Sequence, residues 1–201
     1  RRHAGLRLSR TALVMEALVP AVLEQKVTGR EASRAWRSLL LRFGDPAPGP
    51  APDGMRVVPT PQRWASLPSW EWHRAGVGPN RSGTVVRAAR LARQLEDVAN
   101  RSGHEVESRL RTVPGIGAWT AAEVRQRALG DPDAVSVGDF HLPRLVAYNL
   151  AGEERADDDR MLELLEPYSG QRYRACLLLA RVGSLPPRRA PRLPVRDFRR
   201  I

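Results

Sequence analysis

The sequence predicts an all-α fold of about nine or ten short helices. No stretch alternates apolar and polar residues as a half-buried strand does, whereas several stretches repeat apolar residues at helical spacing. Helix start signals recur, because Thr28 with Glu31 and Ser102 with Glu105 each have the spacing of a capping box. The 201 residues are 42% hydrophobic and 27% charged, which is enough apolar material for one domain or two small lobes.

The first half of the chain predicts five helices separated by turn and cap signals. They are expected over 10–27, 29–43, 61–67, 70–75 and 80–98. Pro20 should loosen the first helix because proline lacks a backbone donor, and Gly44 should end the second. Thr60 followed by Pro61 predicts a cap with proline at the first helical position, while Ser69 is expected to cap the next helix. Five prolines between 45 and 59 predict a loop.

The second half predicts five more helices. They are expected over 103–112, 118–129, 140–150, 159–165 and 170–182, with a loop at 130–138 and an acidic cap at 157–159. We expect four segments: a basic extension (1–9), a helical lobe (10–130), a second helical lobe (131–182) and a Pro/Arg-rich tail (183–201).

The charge balance indicates an acidic partner. The chain has 33 Lys+Arg against 22 Asp+Glu, a formal net charge of +11, which points first to nucleic acid and then to acidic lipid. No apolar run is long enough to span a membrane, and no apolar segment of a signal peptide stands near the start. The single cysteine, Cys176, excludes an internal disulfide and a four-cysteine cluster, so we expect a reduced compartment and no structural transition metal.

Residues 110–122 (LRTVPGIGAWTAA) are the most informative stretch. Gly115 and Gly117 permit positive φ and a close approach of the backbone to a ligand. The N–H groups at the start of the following helix suit an anion such as a DNA phosphate. We therefore expect Gly115, Ile116, Gly117 and Ala118 to bind phosphate. An ordinary turn between two helices, capped by glycine, is the alternative.

This turn resembles the helix-hairpin-helix motif of DNA repair glycosylases, in which a hydrophobic-Pro-Gly-hydrophobic-Gly turn precedes Trp/Lys-Thr-Ala. The resemblance extends over roughly residues 10–182, to the 3-methyladenine DNA glycosylase II branch of the helix-hairpin-helix/Gly-Pro-Asp superfamily. Its segments are LEQKVTGREA (23–32), PTPQ (59–62), AGVGPNRSGTVVRAARLA (75–92), VPGIGAWTAAEV (113–124), SVGDFHLPR (136–144) and EPYSGQRYRACLLL (166–179).

The resemblance implies a two-lobed helical fold with the active site between the lobes. It also implies double-stranded DNA with a damaged base as the substrate, no required cofactor and no membrane partner. We expect a monomer that acts in the cytoplasm with the bacterial nucleoid. The family's N-terminal β-sheet domain is absent from the sequence, and the start at Arg1 suggests that such a domain stood upstream.

Asp139 is the catalytic residue that the resemblance assigns. Cleavage of an N-glycosidic bond builds positive charge on the sugar, and a carboxylate beside it stabilises that charge or deprotonates the attacking water. The alternative is that Asp139 caps the helix predicted over 140–150. Asp131 and Asp133, in the same loop, are weaker candidates.

The resemblance also implies a base pocket lined by Trp119, because an indole face suits a cationic alkylated purine. Trp36 and Phe140 are further candidates, whereas core packing is the alternative for Trp119. Glu123 stands where the family often has a second aromatic residue. A carboxylate there could favour a cation or a base amino group.

Gln25 and Lys26 match the turn from which the family inserts a side chain into the gap left by the flipped base. A solvated helix end is the alternative. Bifunctional relatives use a lysine just after the hairpin to form a Schiff base, and that position is Trp119 here. Lys26 is the only lysine. The chain is therefore expected to be a monofunctional glycosylase without lyase activity.

The family's hairpin can hold a sodium or potassium ion on main-chain carbonyls, which by resemblance are those of Leu110, Val113 and Ile116. Water in the same place is the alternative.

Three functions stay open at this point. The first is an alkylpurine DNA glycosylase in base excision repair. A glycosylase for deaminated or otherwise damaged bases and a non-catalytic helix-hairpin-helix DNA-binding module are the others. Asp139 argues against the last, because a pure binder gains nothing from an anion that faces DNA.

Overall fold

The computed structural model describes His3 and residues 5–184, and its regular secondary structure in this part of the chain is helical, joined by loops, with one isolated bridge between Pro46 and Arg56. The predicted Pro/Arg-rich tail lies almost entirely outside the described residues. The helices are α1 (Val14–Leu23), α2 (Gly29–Phe43), α3 (Pro61–Ser66), α4 (Ser69–Arg74), α5 (Pro79–Arg90), α6 (Ala92–Glu96), α7 (Gly103–Arg111), α8 (Ala118–Val124), α9 (Leu142–Ala151), α10 (Asp158–Leu165) and α11 (Arg172–Val182). The all-α prediction is confirmed.

The capping signals act where the sequence places them. Thr28 and Ser102 each accept the N–H of the residue three positions on, and the glutamates Glu31 and Glu105 return the bond to the cap backbone. Thr60 accepts the N–H of Arg63 ahead of α3. Ser69 differs from the prediction: it is the first residue of α4, and Pro68 precedes it without a side-chain cap.

Helix α1 is shorter than predicted, and a distant residue explains where it begins. The backbone N–H groups of Val14 and Met15 donate to the two carboxylate oxygens of Glu96, each at 2.8 Å. Helix starts leave such donors without intrahelical partners, so Glu96 caps α1 from another element. Glu96 belongs to α6, which is separate because the predicted 80–98 helix breaks at Leu91 (φ −101°, ψ 7°).

The region after the hairpin also departs from a single regular helix. Helix α8 passes into a π-helical turn, Arg125–Leu129, which ends at Gly130 in the left-handed conformation. Helix α9 begins at Leu142 rather than at residue 140, because Asp139 accepts the N–H groups of His141 and Leu142.

Two hydrophobic clusters form the interior of the described residues. In the larger one, α1 lies at the centre with eight of its ten residues buried, as expected of a helix that is apolar on all sides. The smaller one is formed by Val146, Met161, Leu165 and Cys176 from α9, α10 and α11. The predicted division into lobes at residue 130 stays a prediction. Among the described helices, none is both long and apolar enough to cross a bilayer.

Candidate active site between the hairpin and helix α11

The hairpin turn needs glycine at one of its two glycine positions. Gly115 has φ +98°, and a Cβ there would overlap the hydroxyl oxygen of Thr84 on α5. Gly117 has φ −98° and ψ −176°, which any residue adopts, and a Cβ there would meet nothing within 4 Å. Positive φ is therefore used at Gly115 and not at Gly117. Its position instead leaves open space in front of the start of α8.

Neighbouring elements hold the hairpin through its main-chain oxygens. The carbonyl of Pro114 accepts Nε and Nη2 of Arg87 at 3.2 and 3.0 Å. Gln25 Nε2 donates to the carbonyl of Gly115 at 2.9 Å and to Oγ1 of Thr120 at 2.8 Å. The turn is thus bonded on both sides and has a fixed shape.

Two of the three carbonyls that the resemblance implies in ion binding already accept backbone hydrogen bonds within the turn. The carbonyl of Leu110 accepts the N–H of Val113 at 3.1 Å, and that of Val113 accepts the N–H of Ile116 at 3.0 Å. Because the Ile116 N–H is used in this way, the donors best placed for an anion are those at the first positions of α8, which lack intrahelical partners. No group of three or more His, Cys, Asp or Glu side chains that could hold a metal ion occurs among the described residues.

Asp139 is fixed by hydrogen bonds to both carboxylate oxygens. Oδ1 accepts the N–H of His141 at 2.7 Å and that of Leu142 at 2.8 Å, while Oδ2 accepts the indole Nε1–H of Trp119 at 3.1 Å. The capping alternative is therefore realised alongside a link to the hairpin helix. That link brings the predicted catalytic carboxylate and the predicted pocket indole together.

A cleft of about 270 Å³ opens beside Asp139. It lies between α8, the loop before α9, α9 itself and α11. The lining residues are Glu123, Gln126, Ser136, Asp139, His141, Leu142, Leu145, Tyr173, Cys176, Leu177 and Ala180. Its volume lies just under the roughly 300–1,000 Å³ of sites for drug-sized ligands, so one flat base is a suitable occupant.

Glu123 enters this cleft at the end of a chain of hydrogen bonds. Gln126 Nε2 donates to Ser136 Oγ at 2.8 Å, and that hydroxyl donates to Glu123 Oε1 at 2.6 Å. Glu123 Oε2 pairs with Arg127 at 2.7 Å. Burial raises the pKa of Glu123, and the charges of Glu24 and Asp139 add to that shift, whereas Arg127 and Ser136 oppose it.

Tyr173 and Cys176 face the same cleft from α11. Burial raises the pKa of Tyr173 and raises that of Cys176 to about 12, so the thiol stays protonated and unreactive at neutral pH. Tyr173, Ser136 and Gln126 were not predicted. The spacing of Gln126 from Glu123 along the chain is the signal that could have found Gln126, whereas no local signal marks Tyr173 or Ser136.

Of the four predicted pocket residues, Glu123 lines this cleft, whereas Trp119, Trp36 and Phe140 are not among its lining residues. Trp36 stacks on Trp64 at 6.3 Å, which stacks in turn on Trp72 at 5.5 Å, and it borders a separate depression on α2. Trp36 therefore belongs to the edge of the larger core. Phe140 is 83% exposed and contacts His141 edge-on.

The weaker carboxylate candidates are engaged elsewhere. Asp131 pairs with Arg125 at 2.7 Å, and Asp133 pairs with Arg172 and accepts its backbone N–H at 3.0 Å. Arg172 lowers the pKa of Asp133 through that hydrogen bond. Lys26 is exposed at the tip of the turn after α1, with φ +53°.

Comparison with known proteins agrees with this geometry. No protein-family model matches the chain. The chain is 32% identical over 148 residues to a Mycobacterium tuberculosis protein described as "Probable bifunctional transcriptional activator/DNA repair enzyme AlkA". That match spans 73% of this chain but 29% of the relative, so the chain corresponds to under a third of that protein.

Solved structures show the same fold. The 3-methyladenine DNA glycosylase from Archaeoglobus fulgidus superposes with a TM-score of 0.75 at 21% identity, covering 89% of this chain and 61% of that one. The Schizosaccharomyces pombe 3-methyladenine DNA glycosylase in complex with abasic DNA gives 0.71 at 18% identity, covering 87% and 82%. The chain therefore shares the fold of these DNA glycosylases and is similar in sequence to part of the relative described as AlkA.

Proposed function

We propose that this chain is a DNA glycosylase that flips a damaged base, an alkylated purine, out of double-stranded DNA and hydrolyses its N-glycosidic bond in base excision repair. The observation that carries the proposal is the Asp139 carboxylate, held on three hydrogen bonds at a base-sized cleft beside the hairpin. The AlkA-like sequence supports the 3-methyladenine DNA glycosylase II branch.

Asp139 would stabilise the positive charge that develops on the sugar as the bond to the base breaks. Oδ2 accepts a single N–H bond and keeps a second lone pair, so Asp139 can also orient and deprotonate a water through that oxygen. Its bonds to the backbone of α9 and to the indole of Trp119 fix its direction before the substrate arrives. The hydrolysis uses water and requires no cofactor.

The hairpin would bind the DNA backbone next to the flipped nucleotide. The open space at Gly117 admits a phosphate to the start of α8, and the formal charge of +11 favours DNA at long range. Gln25 and Lys26 lie in the turn that is predicted to fill the gap left by the flipped base. Gln25 donates a hydrogen bond to the carbonyl of Gly115, so this turn would be held next to the part of the hairpin that contacts the DNA backbone. Since its substrate would be genomic DNA, the protein would act at the nucleoid.

A monovalent cation at the hairpin fits the carbonyls present. Leu110 and Val113 each accept one backbone N–H there, and a carbonyl oxygen has two lone pairs. Neutral oxygen ligands suit an alkali ion. When bound, the ion would supply positive charge next to a phosphate oxygen, while the residues themselves only shape the turn.

The chain is proposed to lack lyase activity. A Schiff base needs an amine close to the sugar carbon, and the position after the hairpin that would supply it is Trp119. Lys26, the single lysine, is absent from the residues that line the cleft. The product would therefore be an intact strand with an abasic site.

Release of free base from defined duplexes tests the function. The substrates carry 3-methyladenine, 7-methylguanine, hypoxanthine or uracil at one position, and release is followed with and without alkali. We expect release of the methylated purines, strand breaks only after alkali, and no trapping of the protein on DNA by borohydride. Release of uracil or hypoxanthine alone would favour the deaminated-base alternative. DNA binding without any release would mean a non-catalytic module, and borohydride trapping would contradict the lysine argument.

A further inference from the structure

The cleft beside Asp139 is anionic in a protein that is strongly basic overall. Glu123 and Asp139 both line it, and Glu24 lies near enough to act on Glu123 electrostatically. The cation that faces this group is Arg127, which is shared between Glu123 at 2.7 Å and Glu24 at 3.3 Å. Arg181 on α11 acts electrostatically on Tyr173 in the same cleft, so two guanidinium groups stand against three carboxylates and the local charge is negative.

The Glu123 carboxylate is held in one orientation. Ser136 accepts a hydrogen bond from Gln126, so its single hydroxyl proton is directed to Glu123 Oε1. Gln126 is fixed in turn, because the same amide nitrogen donates to the carbonyl of Ala134 at 2.9 Å. Gln126 and Ser136 are both buried. A glutamate that merely pointed into solvent from a helix surface would not be held by two buried polar side chains in this way.

Glu123 also stands one helical turn after Trp119 on α8. Residues four apart on a helix lie on the same face, so the indole and the carboxylate project towards the same side. Glu123 and Asp139 both line the cleft, while Trp119 borders it through the bond from its indole N–H to Asp139 and is not itself among the lining residues.

We propose that Glu123 is the residue that determines specificity in this cleft, and that it selects bases carrying a formal positive charge, namely N-alkylated purines, over neutral ones. The inference rests on the proposed function and names the residue that sets its substrate class. Two carboxylates that face one cleft repel each other, and the ion pair with Arg127 engages only Oε2 of Glu123. A cationic base relieves that repulsion, whereas a neutral lactam such as hypoxanthine presents a carbonyl oxygen that a carboxylate repels.

The test compares two duplexes under single-turnover conditions, one with 7-methylguanine and one with hypoxanthine. Glu123→Gln keeps an oxygen that can accept the Ser136 bond but removes the charge. It should lower the rate for 7-methylguanine about tenfold while changing the hypoxanthine rate by less than about twofold. Glu123→Asp should restore part of the preference. Glu163→Gln is the matched control, because Glu163 is 69% exposed on α10 and pairs with Arg160 there, away from the cleft.

A ratio of the two rates that stays within twofold of the wild type in Glu123→Gln would overturn the proposal. Binding of nucleosides gives a readout that does not require catalysis: 1-methyladenosine, which is cationic at neutral pH, is titrated against adenosine. We expect the wild type to prefer the cation and Glu123→Gln to lose that preference about tenfold. If the wild type releases no base yet shows this preference, the proposed hydrolysis fails while the charge selection stands. Equal binding of both nucleosides by the wild type would overturn the selection.

Discussion

The hairpin and the cleft lie side by side in the molecule but are built in different ways. The hairpin is one continuous stretch, and its neighbours hold it through main-chain oxygens, those of Pro114 and Gly115. The cleft collects side chains from residues 123 to 180, and side chains such as Ser136 hold other side chains in place. Most hairpin side chains should therefore be replaceable, whereas single replacements in the cleft should change its chemistry.

The difference matches a division of labour. Backbone groups suit the DNA phosphates, which are the same at every position along the duplex and carry no sequence information. A damaged base has to be distinguished from many normal ones, and side chains provide that discrimination. Asp139 joins the two regions, since it caps α9 in the second and accepts a bond from Trp119 of the hairpin helix.

Asp139→Asn should have the largest effect on base release, and it should impair the chemistry of the cleft while leaving the hairpin intact. Asparagine caps helices about as well as aspartate, so the bonds to His141 and Leu142 can persist and the fold should hold. Loss of the charge should reduce base release by a factor of about 10² to 10³, as removal of one stabilising group in other active sites does. Single-turnover release and DNA affinity are measured together.

Affinity for DNA should be equal or tighter in that variant, because a negative charge near the phosphates is gone. Asp53→Asn, in the exposed 45–59 loop, serves as the control for removing one carboxylate. Release by Asp139→Asn within tenfold of the wild type would remove Asp139 from its proposed role.

Gly115→Val and Gly117→Val should impair the hairpin in two distinguishable ways, the first through protein stability and the second through DNA binding. Valine at Gly115 meets Thr84 and needs an unfavourable positive φ, which costs about 1–3 kcal/mol of folding free energy. Valine at Gly117 meets open space in an ordinary conformation, so stability should be unchanged while DNA binding weakens. Thermal unfolding and DNA titration separate the two. Unchanged affinity in a folded Gly117→Val protein would mean that the turn is only a connector.

Signals that act over a few residues made the local structure predictable. The capping boxes at Thr28 and Ser102 work within one helical turn, and the hairpin glycines stand in a recognisable spacing. The limits of α1 were not predictable, because Glu96 caps it from 82 positions away. The separate role of Gly117 also needed the structure, since its φ follows from packing and not from residue type.

The cleft was predictable only in part. Asp139 and Glu123 were named from the family motif, and both line it. Trp36 was also named, but its ring stacks on Trp64, and an aromatic residue in an amphipathic helix fits core packing as well as a pocket. Ser136 and Tyr173 come from a loop and from α11, and only tertiary packing brings them to Glu123.

Trp119→Phe should test whether the hydrogen bond between the hairpin helix and Asp139 positions the carboxylate. Phenylalanine keeps an aromatic face for a base but removes the indole N–H that donates to Asp139 Oδ2. A hydrogen bond to a charged group contributes about 1.5–3 kcal/mol, so base release should fall roughly tenfold or more while DNA affinity is kept. Trp70→Phe, at a tryptophan that is 63% exposed on α4, is the matched control. Equal release by Trp119→Phe and the wild type would show that this bond does not position Asp139.

Glu123→Gln should have the smallest effect on the folded state, and its sign follows from the pKa of Glu123. Burial raises this pKa, Glu24 and Asp139 raise it further, and Arg127 and Ser136 oppose them, while the charge of Glu123 in turn raises the pKa of Tyr173. The folded protein therefore holds the Glu123 proton more tightly than the unfolded chain does.

The stability that this proton contributes is fully present below the ordinary glutamate pKa and is lost as the pH rises through the raised pKa of the folded state. Glutamine stays neutral at every pH, so the variant should match the wild type in acid and melt at a higher temperature than the wild type at neutral pH. Melting curves from pH 4 to pH 8 measure the difference, with Glu163→Gln as the exposed control. A difference that is constant over this range, or that favours the wild type at neutral pH, would mean that Arg127 fully neutralises Glu123.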